Sequence, residues 1–143
     1  MPVSTVLKLK PPRAAVITEP AQAGAGLRTF ARIAGRWKLP ATDAMALLGV
    51  ESRSTYYELL KRARGSRELK GLSKDQLDRL SYVLGIYEAI MVLFPHSEET
   101  RDGWVSRANA APMFGGRSPL ETMRSSMIGL YQTLAHLAAA RGG

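Results

Sequence analysis

A row of polar and basic side chains at residues 53–62 has the chemistry to bind DNA from one face of a helix. Apolar residues recur at helical spacing through this stretch, at Tyr56, Leu59 and Ala63, and predict the buried face. Glu58 turns outward, and the candidates for DNA contact are Arg53, Ser54, Thr55, Tyr57, Lys61 and Arg62. Arginine can make two hydrogen bonds to guanine, hydroxyl groups reach phosphates or base edges, and basic side chains neutralise backbone charge.

The segment before this helix predicts a helix-turn-helix. A short helix carries the apolar residues 45–48, with Thr42 or the residue before it as N-cap, and Gly49 is placed to end it in the left-handed conformation. The next helix follows almost at once, with Ser52 as its N-cap. In this motif the second helix enters the DNA major groove. The same hairpin also occurs as a purely structural unit, so both interpretations stay open here.

The excess positive charge is confined to the first half of the chain. Residues 1–71 contain 13 Lys or Arg against 5 Asp or Glu, whereas residues 72–143 contain 7 of each. A basic half joined to a neutral half favours a polyanion-binding region beside a region with another task. A highly soluble, well-solvated surface would have the same charge, and composition alone does not separate the two.

Composition and spacing argue against several classes of function. The chain has no cysteine, which excludes a disulfide framework, thiolate zinc sites and cysteine catalysis, and fits a cytoplasmic protein. No apolar run approaches the ~20 residues of a membrane-spanning helix. His96 and His136 lack a spaced acidic partner, and no segment has metal-ligand or phosphate-loop spacing. We therefore expect a protein that is not an enzyme and that uses neither a cofactor nor a metal.

The periodic segments together predict an all-α fold. We expect a flexible N-terminal tail at residues 1–25, a helix-turn-helix bundle at 26–71 and a small helical domain at 72–143. Apolar residues recur at helical spacing after Leu27, at Phe30, Ile33, Ala34 and Trp37. The first helix of the bundle is therefore predicted to begin at Leu27, to bury this stripe and to stop before Pro40.

Two further helices are expected in the middle of the chain. A capping box at Ser73 opens a long helix that ends at Pro95 and joins the two halves. Ser97 opens the next helix, which is predicted to carry Trp104 and to end near Asn109.

Residues 113–121 combine a glycine turn with a complete helix start. Two consecutive glycines favour positive φ angles or a close backbone approach. Ser118 can cap the helix, Pro119 suits its first position, and Glu121 can complete a capping box. The helix is predicted to continue to about Ala140. Turns of this kind occur on many folds, so the stretch alone defines a helix boundary and no function.

A series of residues in the second half carries a family resemblance. Its members are Trp104, Asn109, Phe114, Gly115, Gly116, Pro119 and Leu120. With the helix-turn-helix half, this series resembles the Xre/MbcA/ParS antitoxins, the partners of RES-domain toxins, over about residues 27–140. The resemblance implies a type II antitoxin whose C-terminal domain binds a RES-domain, NAD-degrading toxin and blocks its active site. It also implies that the N-terminal half represses the operon's own promoter, as a homodimer on a palindrome of double-stranded DNA.

The resemblance makes those seven residues candidates for toxin binding, although most of them could equally shape the domain. Arg117, exposed by its neighbours in the turn, is the more direct candidate for contact. We also expect the segment from Tyr131 to Arg141 to lie near the toxin pocket, because a terminal helix can insert without disturbing the core. Two other functions remain open, a stand-alone transcriptional regulator and a ParS-like partition or localisation adaptor.

Overall fold

The computed structural model describes residues 20–65 and 69–142, and these residues form an all-α protein, as predicted. Its helices are α1 Pro20–Arg36, α2 Ala41–Leu48, α3 Arg53–Gly65, α4 Lys74–Leu93, α5 Glu98–Gly103, α6 Pro119–Ser125 and α7 Met127–Ala140. None of these helices is both long and apolar enough to cross a membrane.

Helix α1 begins earlier than the apolar pattern predicts. Most of the predicted flexible tail lies outside the described residues, but residues 20–25 belong to this helix. Proline is tolerated in a first helical turn, where the missing N–H would have no partner, so Pro20 is compatible with this start. The predicted apolar stripe is confirmed, because Leu27, Phe30 and Ile33 are fully buried against α3 and α4.

Helix α2 is capped differently from the prediction. Its N-cap is Pro40, in an extended conformation, and no side chain caps the helix. The Pro40 carbonyl accepts from the backbone N–H groups of Asp43 and Ala44, at 3.0 and 3.1 Å, so Thr42 already lies inside the first turn. The predicted end is confirmed, since Gly49 has φ 72° and its N–H donates to the Ala46 carbonyl.

Helix α4 joins the two halves and packs against α1 and α2 on one side and α7 on the other. It opens with the predicted capping box, in which Ser73 Oγ accepts from Gln76 N–H at 3.0 Å. Tyr87 contacts Trp37 of the first half, with ring centroids 6.2 Å apart, and Tyr82 contacts Tyr131 of the second, at 6.0 Å. One buried cluster therefore runs through both halves.

The predicted helix from Ser97 to near Asn109 is shorter than expected. Ser97 caps α5 as predicted, but the helix ends at Gly103, and Trp104 follows as its C-cap. The backbone N–H groups of Ser106 and Arg107 both donate to the Gly103 carbonyl, at 3.2 Å, and close a turn.

The predicted helix from Pro119 to Ala140 is in fact two helices. Ser126 is extended, with φ −171° and ψ 164°, and separates α6 from α7. Its hydroxyl caps α7 by accepting from Gly129 N–H at 3.0 Å. Gly129 packs so closely on the Thr122 carbonyl that an added Cβ would collide with it, so α7 folds back against α6.

Candidate functional site

The side chains predicted to contact DNA lie together on α3. Tyr56, Leu59 and Ala63 are buried, as predicted. The side chains that share the solvent-exposed side of the helix are Arg53, Ser54, Thr55, Tyr57, Lys61 and Arg62. We call this exposed set, together with Glu58, the α3 face. Half of the Tyr57 surface is exposed, at 51%, which leaves an aromatic ring available to a partner.

A tight turn after Leu48 connects α2 to α3 and fixes their relative orientation. Gly49 needs its positive φ of 72°, and an added Cβ would lie 3.0 Å from Arg79 Cδ. The Val50 N–H donates to the Met45 carbonyl at 3.0 Å, and Ser52 Oγ accepts from Thr55 N–H at 3.3 Å at the start of α3. These contacts set the two helices as a helix-turn-helix, in which the start of α3 is exposed with respect to the described residues.

Within the part of the chain that the structure describes, two basic side chains of the α3 face are free to bind phosphate or base groups of DNA. Among the described residues, the charged ends of Arg53 and Lys61 have no hydrogen bond or ion pair. Arg62 Nη2 donates to the Lys70 carbonyl at 2.9 Å, which anchors that side chain to the segment after α3. Burial raises the pKa of the Tyr56 phenol, and the adjacent Tyr57 raises it further, so the phenol stays neutral beneath a basic surface.

Residues 109–117 form a turn closed by backbone hydrogen bonds, which we call the closed turn, at the start of the candidate site in the second half. The Asn109 backbone donates from its N–H to the Arg117 carbonyl at 3.0 Å and accepts from Gly116 N–H at 2.9 Å. Its Oδ1 accepts from Ala111 N–H at 2.9 Å. Gly115 and Gly116 have φ 59° and 87° with open space at their Cβ positions, so positive φ is their requirement and close packing is not. The predicted capping box at Ser118 is present.

Aromatic contacts hold this turn on α7. The Phe114 ring is buried between Trp104 and His136, with ring centroids 6.0 and 5.3 Å away and edge-on geometry in both pairs. Pro119 and Leu120 are also buried, and the Leu120 N–H donates to the Val105 carbonyl at 2.8 Å. Most side chains of the family series are therefore buried or form hydrogen bonds within the turn. These residues shape the domain.

Three predicted toxin contacts keep accessible surface in this half. Arg117 and Arg141 are exposed and Tyr131 is half-buried. Tyr131 belongs to an apolar groove of about 560 Å³, which we call the α7 groove; its lining is Ala111, Pro112, Met113, Tyr131, Gln132, Ala135 and His136. Sequence reasoning missed Ala111 and Pro112 as surface candidates. Gln132 and His136 lie within the segment expected near the toxin pocket, and residues 131, 132, 135 and 136 share a helix face by spacing.

A second cleft, of about 600 Å³, lies between α1 and α5 and is lined by charges of both signs. Arg36 Nη1 is 3.4 Å from Asp102 Oδ2, and Arg107 Nη2 is 4.0 Å from Glu99 Oε1. The basic and acidic side chains of the cleft largely neutralise one another, so it offers little net charge to a ligand. Its Arg36–Asp102 pair connects the two halves. No cluster of His, Asp or Glu among the described residues could hold a metal ion.

Comparison with known proteins divides the chain at α4. Residues 17–85 match the family model described as the antitoxin Xre-like helix-turn-helix domain. Residues 91–143 match that of the antitoxin Xre/MbcA/ParS C-terminal toxin-binding domain. The chain is also 39% identical over 127 residues to the uncharacterized protein y4oB of Sinorhizobium fredii, covering 88% of this chain and 92% of that protein. The α3 face lies in the first matched region, and the closed turn and α7 groove lie in the second.

Proposed function

The chain belongs to the antitoxin family that joins an Xre-like helix-turn-helix to an Xre/MbcA/ParS toxin-binding domain, and from this we propose that it neutralises a RES-domain toxin. Such a toxin degrades NAD, and the antitoxin acts by covering its active site. The observation that carries the proposal is the match of residues 91–143 to a toxin-binding domain, which contains the closed turn and the α7 groove. In this proposal the chain itself does no chemistry, and binding alone inhibits the toxin.

The toxin-binding surface that we propose consists of the α7 groove, Arg117 and the end of α7. The groove offers apolar area beside a flexible methionine, Met113, which is 37% exposed, and such side chains adapt to a partner surface. Arg117 and Arg141 supply positive charge at the surface of this half, whose net charge is zero. The buried members of the family series hold this surface in shape from beneath.

We further propose that the α3 face binds the promoter of the chain's own operon and represses it. The charge excess of residues 1–71 supports this, and so do Arg53 and Lys61, whose charged ends have no partner among the described residues. A homodimer would present two copies of α3 to a palindromic site, with half-sites about one helical turn apart. A cytoplasmic location belongs to the same proposal, because both proposed partners are cytoplasmic.

Co-expression tests the toxin proposal directly. The protein encoded by the adjacent reading frame, which this proposal requires to be a RES-domain toxin, is expressed alone and together with the chain, and cellular NAD and growth are followed. We expect NAD to fall with the toxin alone and to be preserved in the pair, and the two proteins to co-purify. A neighbour that neither binds the chain nor lowers NAD would contradict the proposal and leave the regulator and adaptor functions.

A further inference from the structure

Glu58 lies within the basic α3 face and carries its single negative charge. It is the one acidic residue of a helix that also contains Arg53, Lys61, Arg62 and Arg64, all of them exposed. Its carboxylate has no hydrogen bond or ion pair within the described chain. A free carboxylate at this position repels phosphates and so weakens sequence-independent binding. It adds affinity only where it meets a hydrogen-bond donor, and bases carry such donors in the major groove.

The surroundings of Glu58 leave its carboxylate open to a base. Ser54 lies one turn before it and Arg62 one turn after it, and these three side chains line a shallow depression of about 370 Å³. Arg62 is not its ion-pair partner, because its guanidinium donates to the Lys70 carbonyl at 2.9 Å. The depression therefore holds a hydroxyl and an unpaired carboxylate side by side on the first two turns of α3, where helix-turn-helix proteins contact base edges.

We propose that Glu58 determines sequence specificity by accepting a hydrogen bond from the 4-amino group of a cytosine in the operator. Among the base edges of the major groove, this amino group is the usual donor to a carboxylate. The assignment rests on the proposed binding of the α3 face to promoter DNA. The assignment also explains the negative charge within a basic face, because the carboxylate lowers the affinity for every DNA sequence that has no amino group at that position.

Selection from a randomised duplex library tests the assignment with the full chain. The wild-type protein, Glu58→Gln, Glu58→Ala and a control, Glu88→Gln, each select sites from the same library. Glu88 is exposed on α4, so the control makes the same charge change away from the α3 face. Glutamine pairs with the N6 and N7 edge of adenine. We therefore expect Glu58→Gln to change one C·G preference to A·T, by about tenfold in relative affinity.

The remaining outcomes separate the assignment from the proposed function. Glu58→Ala should lose the preference at that one position, whereas Glu88→Gln should select the wild-type site. If Glu58→Gln selects the wild-type site and merely binds every sequence more tightly, Glu58 acts through charge alone and the cytosine assignment is wrong. If the wild-type protein selects no sequence, the proposed promoter binding is wrong as well, and both fail together.

Discussion

Asp43 of α2 and Arg124 of α6 form an ion pair between the two halves of the protein, with Oδ1 and Nη1 2.8 Å apart. The Asp43 side chain is only 16% exposed, and it also lies in the first turn of α2, where negative charge is favoured. Helix α6 starts at the closed turn of the toxin-binding half, and α2 is the first helix of the helix-turn-helix. The pair thus links the two halves in addition to the connection made by α4.

Replacing this arginine should loosen the junction. We expect Arg124→Ala to lower the free energy of unfolding by about 1 kcal/mol, because a partly buried carboxylate loses its partner. Urea unfolding measures the change, and Arg117→Ala, which removes an exposed arginine with no described ion pair, is the matched control. Equal unfolding curves for the two variants would mean that the Asp43–Arg124 pair contributes nothing measurable.

Loss of basic side chains from the α3 face should weaken DNA binding in two distinguishable ways. Arg53→Ala removes a candidate base contact and should cost about 1–3 kcal/mol on the promoter, whereas Lys61→Ala should reduce the salt dependence by about one phosphate. Lys74→Ala is the control, since Lys74 is exposed on α4 and paired with Asp78. Fluorescence anisotropy across a salt series separates these effects. A flat salt response of the wild-type protein would contradict the α3 assignment.

Charge reversal at Arg117 should release the toxin. We expect Arg117→Glu to restore toxin activity in co-expressing cells, measured as a fall in NAD. Reversing the charge of a side chain in the proposed interface removes an attraction to the toxin and speeds dissociation of the complex. Arg64→Glu makes the same change on α3 and should still protect NAD.

Truncation after Leu134 removes the end of α7, including buried Leu137, so circular dichroism must first confirm that the remaining chain folds. A folded truncation that loses inhibition would support a role for the end of α7. Full inhibition by both Arg117→Glu and the folded truncation would remove this surface from the proposal.

Alkaline pH should destabilise the protein through a buried phenol. Burial raises the pKa of Tyr56 above its ordinary value of about 10. The folded state therefore favours the neutral phenol, so this contribution is complete below about pH 10 and is lost as the pH rises through the folded pKa. Tyr56→Phe should flatten part of the fall in unfolding free energy between about pH 9 and about pH 11. Burial also raises the pKa of Tyr82, so some of the fall should persist. A variant curve parallel to the wild-type curve would contradict the assignment.

Local signals predicted the starts of α3, α4, α5 and α6 and the buried stripes of α1 and α3, because those features depend on neighbours within one or two turns. The capping boxes at Ser73 and Ser118 and the left-handed Gly49 lie where residue type required them. The outward set on α3 followed from one assignment, that Tyr56 is buried. In each case the information is contained in a few consecutive residues.

The features that the sequence did not predict depend on residues far apart in the chain. The α7 groove joins residues 111–113 to residues 131–136, and no periodicity connects these two segments. The early end of α5 follows from backbone hydrogen bonds in the turns after it, and the Asn109 contacts appear only once residues 116 and 117 fold back. Identification of the toxin-binding half therefore depended on family resemblance, while the groove that joins its two segments became visible only in three dimensions.

A pair of glycine substitutions should separate packing from helix propensity. Gly129 lies against the Thr122 carbonyl, so Gly129→Ala forces α6 and α7 apart and should cost about 1–3 kcal/mol of stability. Gly35, in α1, has open space around its Cβ position, and Gly35→Ala should stabilise the protein by about 0.5–1 kcal/mol because alanine favours the helix.

Thermal and urea unfolding of both glycine variants measure these opposite signs. The tight contact between α6 and α7 also supports the α7 groove, so Gly129→Ala should weaken toxin binding while leaving promoter binding by the α3 face largely intact. If Gly129→Ala is as stable as Gly35→Ala, the break at Ser126 does not depend on this contact, and the local cap by the Ser126 hydroxyl is then sufficient to separate the two helices.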